Sequence, residues 1–109
     1  MTSGAYNRKK GHDFERLICK ELKIFFPNAK TARSSARMED AQGIDIINCD
    51  FNVQTKAREH LNVFDVLYEE MPQGGKINVL FWKKNRQKDI VAMSKEDFYK
   101  LLRLLSLLS

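Results

Sequence analysis

Apolar residues follow a helical repeat in the first quarter of the chain. The positions concerned are Phe14, Leu17, Ile18, Leu22, Phe25 and Phe26. Spacings of three and four residues place such side chains on one face of an α-helix. The pattern therefore predicts a helix that begins at His12 or Asp13 and ends before Pro27, because proline cannot continue a helix.

Shorter apolar runs predict the remaining elements. Before residue 60 they indicate a short strand over residues 29–35, a polar loop over 36–42, and a hairpin of strands over 43–48 and 51–57. After residue 60 they indicate a helix over 61–71, a strand over 77–82, a basic turn over 83–88 and a strand over 89–93. Ser94, with Asp97 three residues later, predicts the cap of a last helix. The order α-β-β-β-α-β-β-α indicates an α/β fold with a central mixed sheet flanked by helices.

The predicted hairpin brings polar residues together. The turn Asn48-Cys49-Asp50-Phe51 is rich in turn-forming residues, and with its two middle residues unpaired, Asp45 stands directly opposite Gln54. Opposed residues share a face of the sheet, with Cβ atoms about 5 Å apart. Lys56 projects from that same face and Thr55 from the other, because side chains alternate along a strand. A slip of one residue would separate Asp45 from Gln54.

Glu15 in the predicted first helix joins Asp45, Gln54 and Lys56 in a chemically suggestive set. Two acids followed by a polar oxygen two residues before a lysine form the constellation that a metal-dependent phosphodiesterase needs, since hard oxygen ligands suit Mg²⁺. An aspartate between isoleucines has few structural roles, because an unpaired buried charge is costly. The ordinary alternatives are a helix-dipole contact for Glu15, an edge-strand polar residue for Gln54, and a solvated lysine for Lys56.

Length and composition fit a single domain. The chain has 109 residues, of which 43% are hydrophobic and 30% charged, enough for one core. We expect a flexible basic arm over residues 1–10 and one domain over 11–109. Two cysteines without framework spacing and the lack of an apolar signal core predict a reduced, cytoplasmic protein. The leucine run over 101–108 is too short to span a membrane.

The charge distribution is uneven. Net charge is +5, and residues 1–37 and 76–109 carry the excess of Lys and Arg, whereas residues 38–75 are acidic. Basic segments flanking an acidic middle suit a protein that contacts phosphates and binds a cation. Ordinary solvated surface charge is the alternative explanation.

The segments in this order resemble the PD-(D/E)XK nuclease superfamily, and within it the Holliday junction resolvases of the archaeal and phage type. The matching segments are Arg8-Lys9-Lys10-Gly11, Phe14-Glu15-Arg16, Arg33-Ser34-Ser35, Gly43-Ile44-Asp45-Ile46 and Gln54-Thr55-Lys56. These motifs cover residues 8–57, whereas the element order matches over almost the whole chain. Gln54 departs from the resolvase pattern, which usually has glutamate there, although transposon-end endonucleases of the same superfamily are known with glutamine.

The resemblance implies a restriction-endonuclease-like fold and an endodeoxyribonuclease of DNA recombination and repair that uses Mg²⁺ or Mn²⁺. Glu15, Asp45, Gln54 and the backbone carbonyl of Thr55 would bind the ion, and Lys56 would act on the attacking water. DNA contacts are expected from residues around the motifs, which otherwise are ordinary polar positions: Arg8, Lys9, Lys10, His12, Arg33, Ser34, Ser35 and Arg37.

The last predicted helix carries more apolar surface than one sheet face hides. Its leucines are Leu101, Leu102, Leu104, Leu105, Leu107 and Leu108, and they spread over about 220° of the helix at the ideal 100° per residue. A homodimer interface is one interpretation, and a frayed apolar terminus is the other. A dimer would suit a four-way junction, which needs two matched cuts.

Three functions stay open at this point. The first is a junction resolvase, and the second is another endonuclease of the superfamily, such as a phage nickase or a restriction-like enzyme. The third is a DNA-binding module that has lost catalysis through Gln54. An RNA-binding module is disfavoured, because the chain lacks the interleaved aromatic residues that stack bases.

Overall fold

A five-stranded mixed sheet with helices packed on it forms the centre of the computed structural model, which describes residues 4–35 and 37–108. The helices are α1 (Gly4–Leu22), α2 (Ala32–Ser35), α3 (Arg37–Ala41), α4 (Val63–Asp65), a π-helical turn (Val66–Glu70) and α5 (Lys95–Leu108). The strands are β1 (Lys30–Thr31), β2 (Ile46–Ile47), β3 (Asn52–Ala57), β4 (Asn78–Lys83) and β5 (Ile90–Ala92). The predicted α/β class is confirmed.

The strands lie in the order in which they occur along the chain, β1-β2-β3-β4-β5. β3 and β4 are parallel, and every other neighbouring pair is antiparallel. A parallel pair needs a crossover connection, and α4 with the π-helical turn provides it. Ile46 lies opposite Val53, which confirms the predicted hairpin register.

Two hydrophobic clusters occupy opposite faces of this sheet. The first joins α1 to the sheet through Phe14, Ile18, Ile46 and Val53. The second, which includes Leu80, joins the sheet to the π-helical turn. Val53 is paired with Val79, so both side chains project from one face of the sheet. Leu80 follows Val79 along β4 and projects from the other face, because side chains alternate along a strand. The two clusters therefore lie on different faces. The sheet therefore has a core on each side.

The first half of the chain is more helical than predicted. Helix α1 begins at Gly4, so residues 4–10 of the predicted arm are helical, and residues 1–3 lie outside the description. The predicted strand over residues 29–35 is reduced to Lys30–Thr31, and Ala32–Ser35 is helical. Residues 37–41 of the predicted loop form α3. These segments lack apolar periodicity, so only intrinsic helix propensity favours the helices, together with Glu39 and Asp40 near the start of α3.

The second half follows the prediction closely. The predicted helix over residues 61–71 forms as α4 and the π-helical turn, and the predicted strands appear as β4 and β5. The Asp97 N–H donates to Ser94 Oγ at 3.0 Å, which confirms the cap of α5. The Asp97 carboxylate accepts a bond from the Asn78 N–H at 3.0 Å. It therefore ties α5 to β4 instead of closing a full capping box.

Helix α5 packs sparsely against the rest of the described chain, and none of its described residues is buried. Leu107 and Leu108 are 82% and 84% exposed. Within residues 4–35 and 37–108, no helix has the length and apolar character needed to cross a membrane. The large apolar surface predicted for this helix is thus present and uncovered in the single chain.

Candidate active site

A cleft of about 690 Å³ opens between the middle of α1 and the end of β3. The five residues predicted to form the metal site and its lysine all line this cleft: Glu15, Asp45, Gln54, Thr55 and Lys56. They come from α1, from the segment before β2, and from β3. The fold therefore brings together residues that are up to 41 positions apart in sequence.

Asp45 is fixed by its neighbour on β3. Its Oδ2 accepts one bond from the Thr55 N–H at 2.7 Å and a second from the Thr55 hydroxyl at 3.0 Å. Burial raises the pKa of Asp45, while these two bonds act in the opposite direction. The sequence placed Asp45 on the face of Gln54 and Lys56, with Thr55 on the other face. The structure corrects this, because the backbone before β2 is irregular and directs the carboxylate to Thr55.

Glu15 contributes a second carboxylate, which is more deeply buried than that of Asp45. It is 6% exposed, because α1 packs directly onto β3. Burial is the largest influence and the Asp45 charge the next, and together they raise the pKa of Glu15 to about 7. The Arg33 guanidinium donates to Glu15 Oε2 and partly offsets this effect. Arg33 was expected to contact DNA, but in the structure it contacts a candidate metal ligand. It also lies on α2 and not on the strand that was predicted.

Gln54 and Lys56 lie on the sheet face that carries Leu80 and Trp82, their partners on β4. Gln54 is buried, and its Oε1 lies 3.3 Å from the Thr55 N–H. Lys56 Nζ donates to a carboxylate oxygen of Glu70 at 2.9 Å. Its ammonium is therefore already paired with an acid that the sequence did not single out.

The residues expected to contact DNA fall into several groups. Lys10 and His12 line the cleft, and Lys10 Nζ donates to Asn85 Oδ1 at 2.7 Å. Lys9 pairs with Asp13 at 2.9 Å on the exposed side of α1. Arg8 is exposed, and Ser34 is exposed and bonded to Thr31 at 2.8 Å and 2.9 Å. The side chains of Ser35 and Arg37 lie outside the described residues.

Several further residues line the cleft that the sequence did not identify. They are Tyr6, Asn7, Arg58, Glu59 and Asn85. Tyr6 and Asn7 belong to the segment expected to be a flexible arm. They precede Lys10 by four and three residues, a spacing that puts them beside Lys10 on a helix, and this spacing is the sequence signal that could have identified them. Glu59 and Asn85 are joined by a 2.8 Å bond between the Asn85 N–H and the Glu59 carboxylate. Nothing in the local sequence indicates that these two loops meet.

The donor set is compatible with a hard divalent cation. Glu15 and Asp45 supply carboxylates, Gln54 an amide oxygen and Thr55 a backbone carbonyl, and such oxygens are the ligands of Mg²⁺. The pKa values of the buried Glu15 and the half-buried Asp45 are both raised, and a positive charge near them would stabilise their ionised forms. Across the described part of the chain, no group of three or more His, Cys, Asp or Glu residues could bind a metal. Any ion here would therefore depend on the amide and carbonyl oxygens.

Comparison with known proteins gives no relative. No protein-family model, curated protein or solved structure matches the chain.

Proposed function

We propose that this protein is a metal-dependent DNA endonuclease with a restriction-endonuclease-like fold. One observation carries the proposal: Glu15, Asp45, Gln54, Thr55 and Lys56 line a single cleft. Oxygen donors beside a lysine are suited to phosphodiester hydrolysis, in which charge builds up on the phosphate. The mixed sheet flanked by helices is compatible with such a fold.

The side chains have separate tasks in this mechanism. Glu15, Asp45, Gln54 and the Thr55 carbonyl would hold Mg²⁺ or Mn²⁺, which would supply Lewis acidity to the phosphate and to a water molecule. The two bonds from Thr55 hold the Asp45 carboxylate in place before the ion arrives. The Lys56 ammonium would orient the attacking water and stabilise charge on the phosphate.

The polypeptide around the cleft offers contacts for nucleic acid. Besides Lys56, the basic residues Lys10, His12 and Arg58 line the cleft. Phosphate contacts of this kind are independent of sequence and sensitive to salt. A branched DNA such as a four-way junction is the proposed substrate, with roles in DNA recombination and repair. A cytoplasmic location, in a bacterial, archaeal or phage-infected cell, remains a prediction.

A homodimer is the proposed working form. The described residues of one chain form one cleft that carries the candidate catalytic set, whereas a junction must be cut twice. The exposed leucines of α5, including Leu104, Leu107 and Leu108, form an apolar surface of the kind that marks association. A second copy would cover this surface, and a two-fold axis would match the symmetry of the junction.

A second candidate function has one observation in its favour. With Gln54 in place of a carboxylate, Glu15 and Asp45 are the two acids of the proposed metal site, and Glu15 is already neutralised in part by Arg33. A weak metal site would leave a DNA-binding module without catalysis. Another endonuclease of the superfamily, such as a nickase, is the third possibility, and it differs only in its substrate.

Incubation with labelled four-way junction, flap and linear duplex DNA of one sequence tests these functions. Each DNA is supplied with Mg²⁺, with Mn²⁺ or with EDTA. We expect junction cleavage with either metal and none with EDTA. Equal cutting of linear duplex would favour a different endonuclease, and binding without cutting in any metal would favour the DNA-binding module.

A further inference from the structure

A rare helical turn ends beside the candidate catalytic lysine. The segment Val66–Glu70 is π-helical, and the Met71 N–H donates to the Val66 carbonyl, five residues earlier, at 3.1 Å. Such turns are uncommon and occur frequently at functional sites, because the extra residue in the turn redirects the side chains near it. Here the last residue of the turn is Glu70, whose carboxylate accepts the bond from Lys56.

Gly43 allows the backbone of this turn to pack closely against the segment that leads to Asp45. Its φ of +82° is a conformation that favours glycine. A Cβ atom at Gly43 would overlap the carbonyl oxygen of Glu70 and lie 3.5 Å from Gln54 Nε2. Gly43 precedes Asp45 by two residues. The backbone of Glu70 is therefore packed against the segment that carries one candidate ligand, while its carboxylate is bonded to the candidate catalytic amine.

We propose that Glu70, which lines a neighbouring depression and not the cleft itself, is a positioning residue for the Lys56 ammonium, an inference that rests on the nuclease function proposed above. Lys56 has a flexible four-carbon stem, and its side chain is 16% exposed, whereas that of Glu70 is 44% exposed. The pair is thus half-buried on the lysine side and open to solvent on the acid side. A substrate phosphate can replace the carboxylate without displacing the amine.

Two opposite effects on the reaction follow from this arrangement. Glu70 restricts the lysine to one position, which favours the chemical step, because a misplaced catalytic group lowers the reaction rate. Its negative charge also competes with the substrate phosphate for the same ammonium, which weakens substrate binding. Loss of the charge should therefore lower kcat and lower KM together. A residue that only supports the fold does not produce this combination.

The test compares Glu70→Gln with Glu69→Gln, which removes the preceding carboxylate of the same turn. Steady-state cleavage of the DNA that the wild type cuts is measured for each variant. We expect Glu70→Gln to lower kcat by up to about 100-fold, as for a misplaced catalytic group, and to lower KM, while Glu69→Gln behaves as the wild type. Glu70→Asp keeps the charge on a shorter side chain and should fall between them. An unchanged kcat in Glu70→Gln would overturn the proposal.

A second readout does not depend on activity. The NMR resonance of the Lys56 ammonium in protein free of metal and DNA should shift in Glu70→Gln and remain in place in Glu69→Gln. An unmoved resonance in Glu70→Gln would show that the two side chains are not paired and would overturn the proposal. If the wild type cuts no DNA, the nuclease function and this role fail together. Cutting by the wild type with an undiminished kcat in Glu70→Gln removes the positioning role alone.

Discussion

Thr55 donates twice to the same oxygen of Asp45, once from its backbone N–H at 2.7 Å and once from its hydroxyl at 3.0 Å. Hydrogen bonds to an ionised carboxylate are roughly twice as strong as bonds between neutral groups. The two bonds from Thr55 hold the Asp45 carboxylate at the open end of the hairpin, directly before β2. The hairpin therefore supplies a fixed oxygen donor at the cleft, and the function proposed for the cleft depends on that donor.

Asp45→Asn should abolish cleavage at every Mg²⁺ concentration, with a loss of about 100-fold or more, because the site has few other full negative charges to attract a dication. Cleavage of labelled junction over a Mg²⁺ titration measures this. Asp50→Asn, in the exposed turn of the same hairpin, is the matched control and should cut normally. Recovery of Asp45→Asn at high Mg²⁺ would show that Asp45 is not an essential ligand.

Lys56→Ala should abolish cleavage and leave junction binding within a few-fold of the wild type. A single lysine acts on the reaction, whereas affinity comes from many phosphate contacts. A gel-shift assay in Ca²⁺ or EDTA gives the affinity, and a cleavage assay in Mg²⁺ gives the rate. Lys20→Ala removes an exposed lysine of α1 that does not line the cleft, and it should have no effect on the rate. A variant lacking Lys56 that cuts at the wild-type rate would refute the catalytic assignment.

Gln54→Glu should retain activity or raise it at low Mg²⁺, because it adds a negative charge at an oxygen already in the cleft. The measurement is the Mg²⁺ concentration that gives half-maximal cleavage, which should fall. Circular dichroism serves as a check on the fold, since Gln54 is buried beside Gly43. An inactive but folded variant would mean that Gln54 does not bind the ion.

Glu15 should make the metal-free protein less stable as the pH rises. Its pKa of about 7 lies above the ordinary 4.5, so the folded state binds more protons between these values. The stabilisation is complete below about pH 4.5 and is lost as the pH rises through 7, by on the order of 1–3 kcal/mol. Urea unfolding in EDTA should show this slope in the wild type and a smaller slope in Glu15→Gln. Glu21→Gln, an exposed acid of the same helix, should keep the wild-type slope.

Equal pH slopes in the wild type and in Glu15→Gln would show that burial does not raise the pKa of Glu15. The other groups that influence this carboxyl are Asp45, Asp40 and Arg33. Asp45, whose pKa is also raised, remains in the variant and contributes a slope of the same sign. The difference between the two proteins therefore reports Glu15 together with its electrostatic interaction with Asp45.

Leu104→Glu and Leu107→Glu should dissociate a homodimer that forms at micromolar concentration, because a charge replaces exposed apolar surface on α5. Sedimentation analysis of the free protein and of its junction complex measures the assembly. Ile24→Glu places the same charge on an exposed apolar position away from α5 and should leave the dimer intact. A wild type that is monomeric at high concentration, with and without junction DNA, would remove the dimeric mechanism and leave the nuclease proposal standing.

Local sequence pattern predicted the longer helices and strands. The periodicity of Phe14 and Ile18, the run that forms β4, and the cap at Ser94 each depend on residues close together in the chain. The hairpin register followed from turn length, because the residues of a tight turn fix which positions are opposed. Helices α2 and α3 were missed, since they are short and carry no apolar repeat.

The sequence by itself determined the α/β class, the pairing across the hairpin, and the candidate set of Glu15, Asp45, Gln54 and Lys56. Tertiary structure alone decided the contacts of those side chains. The pairing of Glu70 with Lys56 depends on a π-helical turn and on the close approach at Gly43. Such contacts arise from packing between segments distant in the chain, and short-range propensity and periodicity contain no information about them.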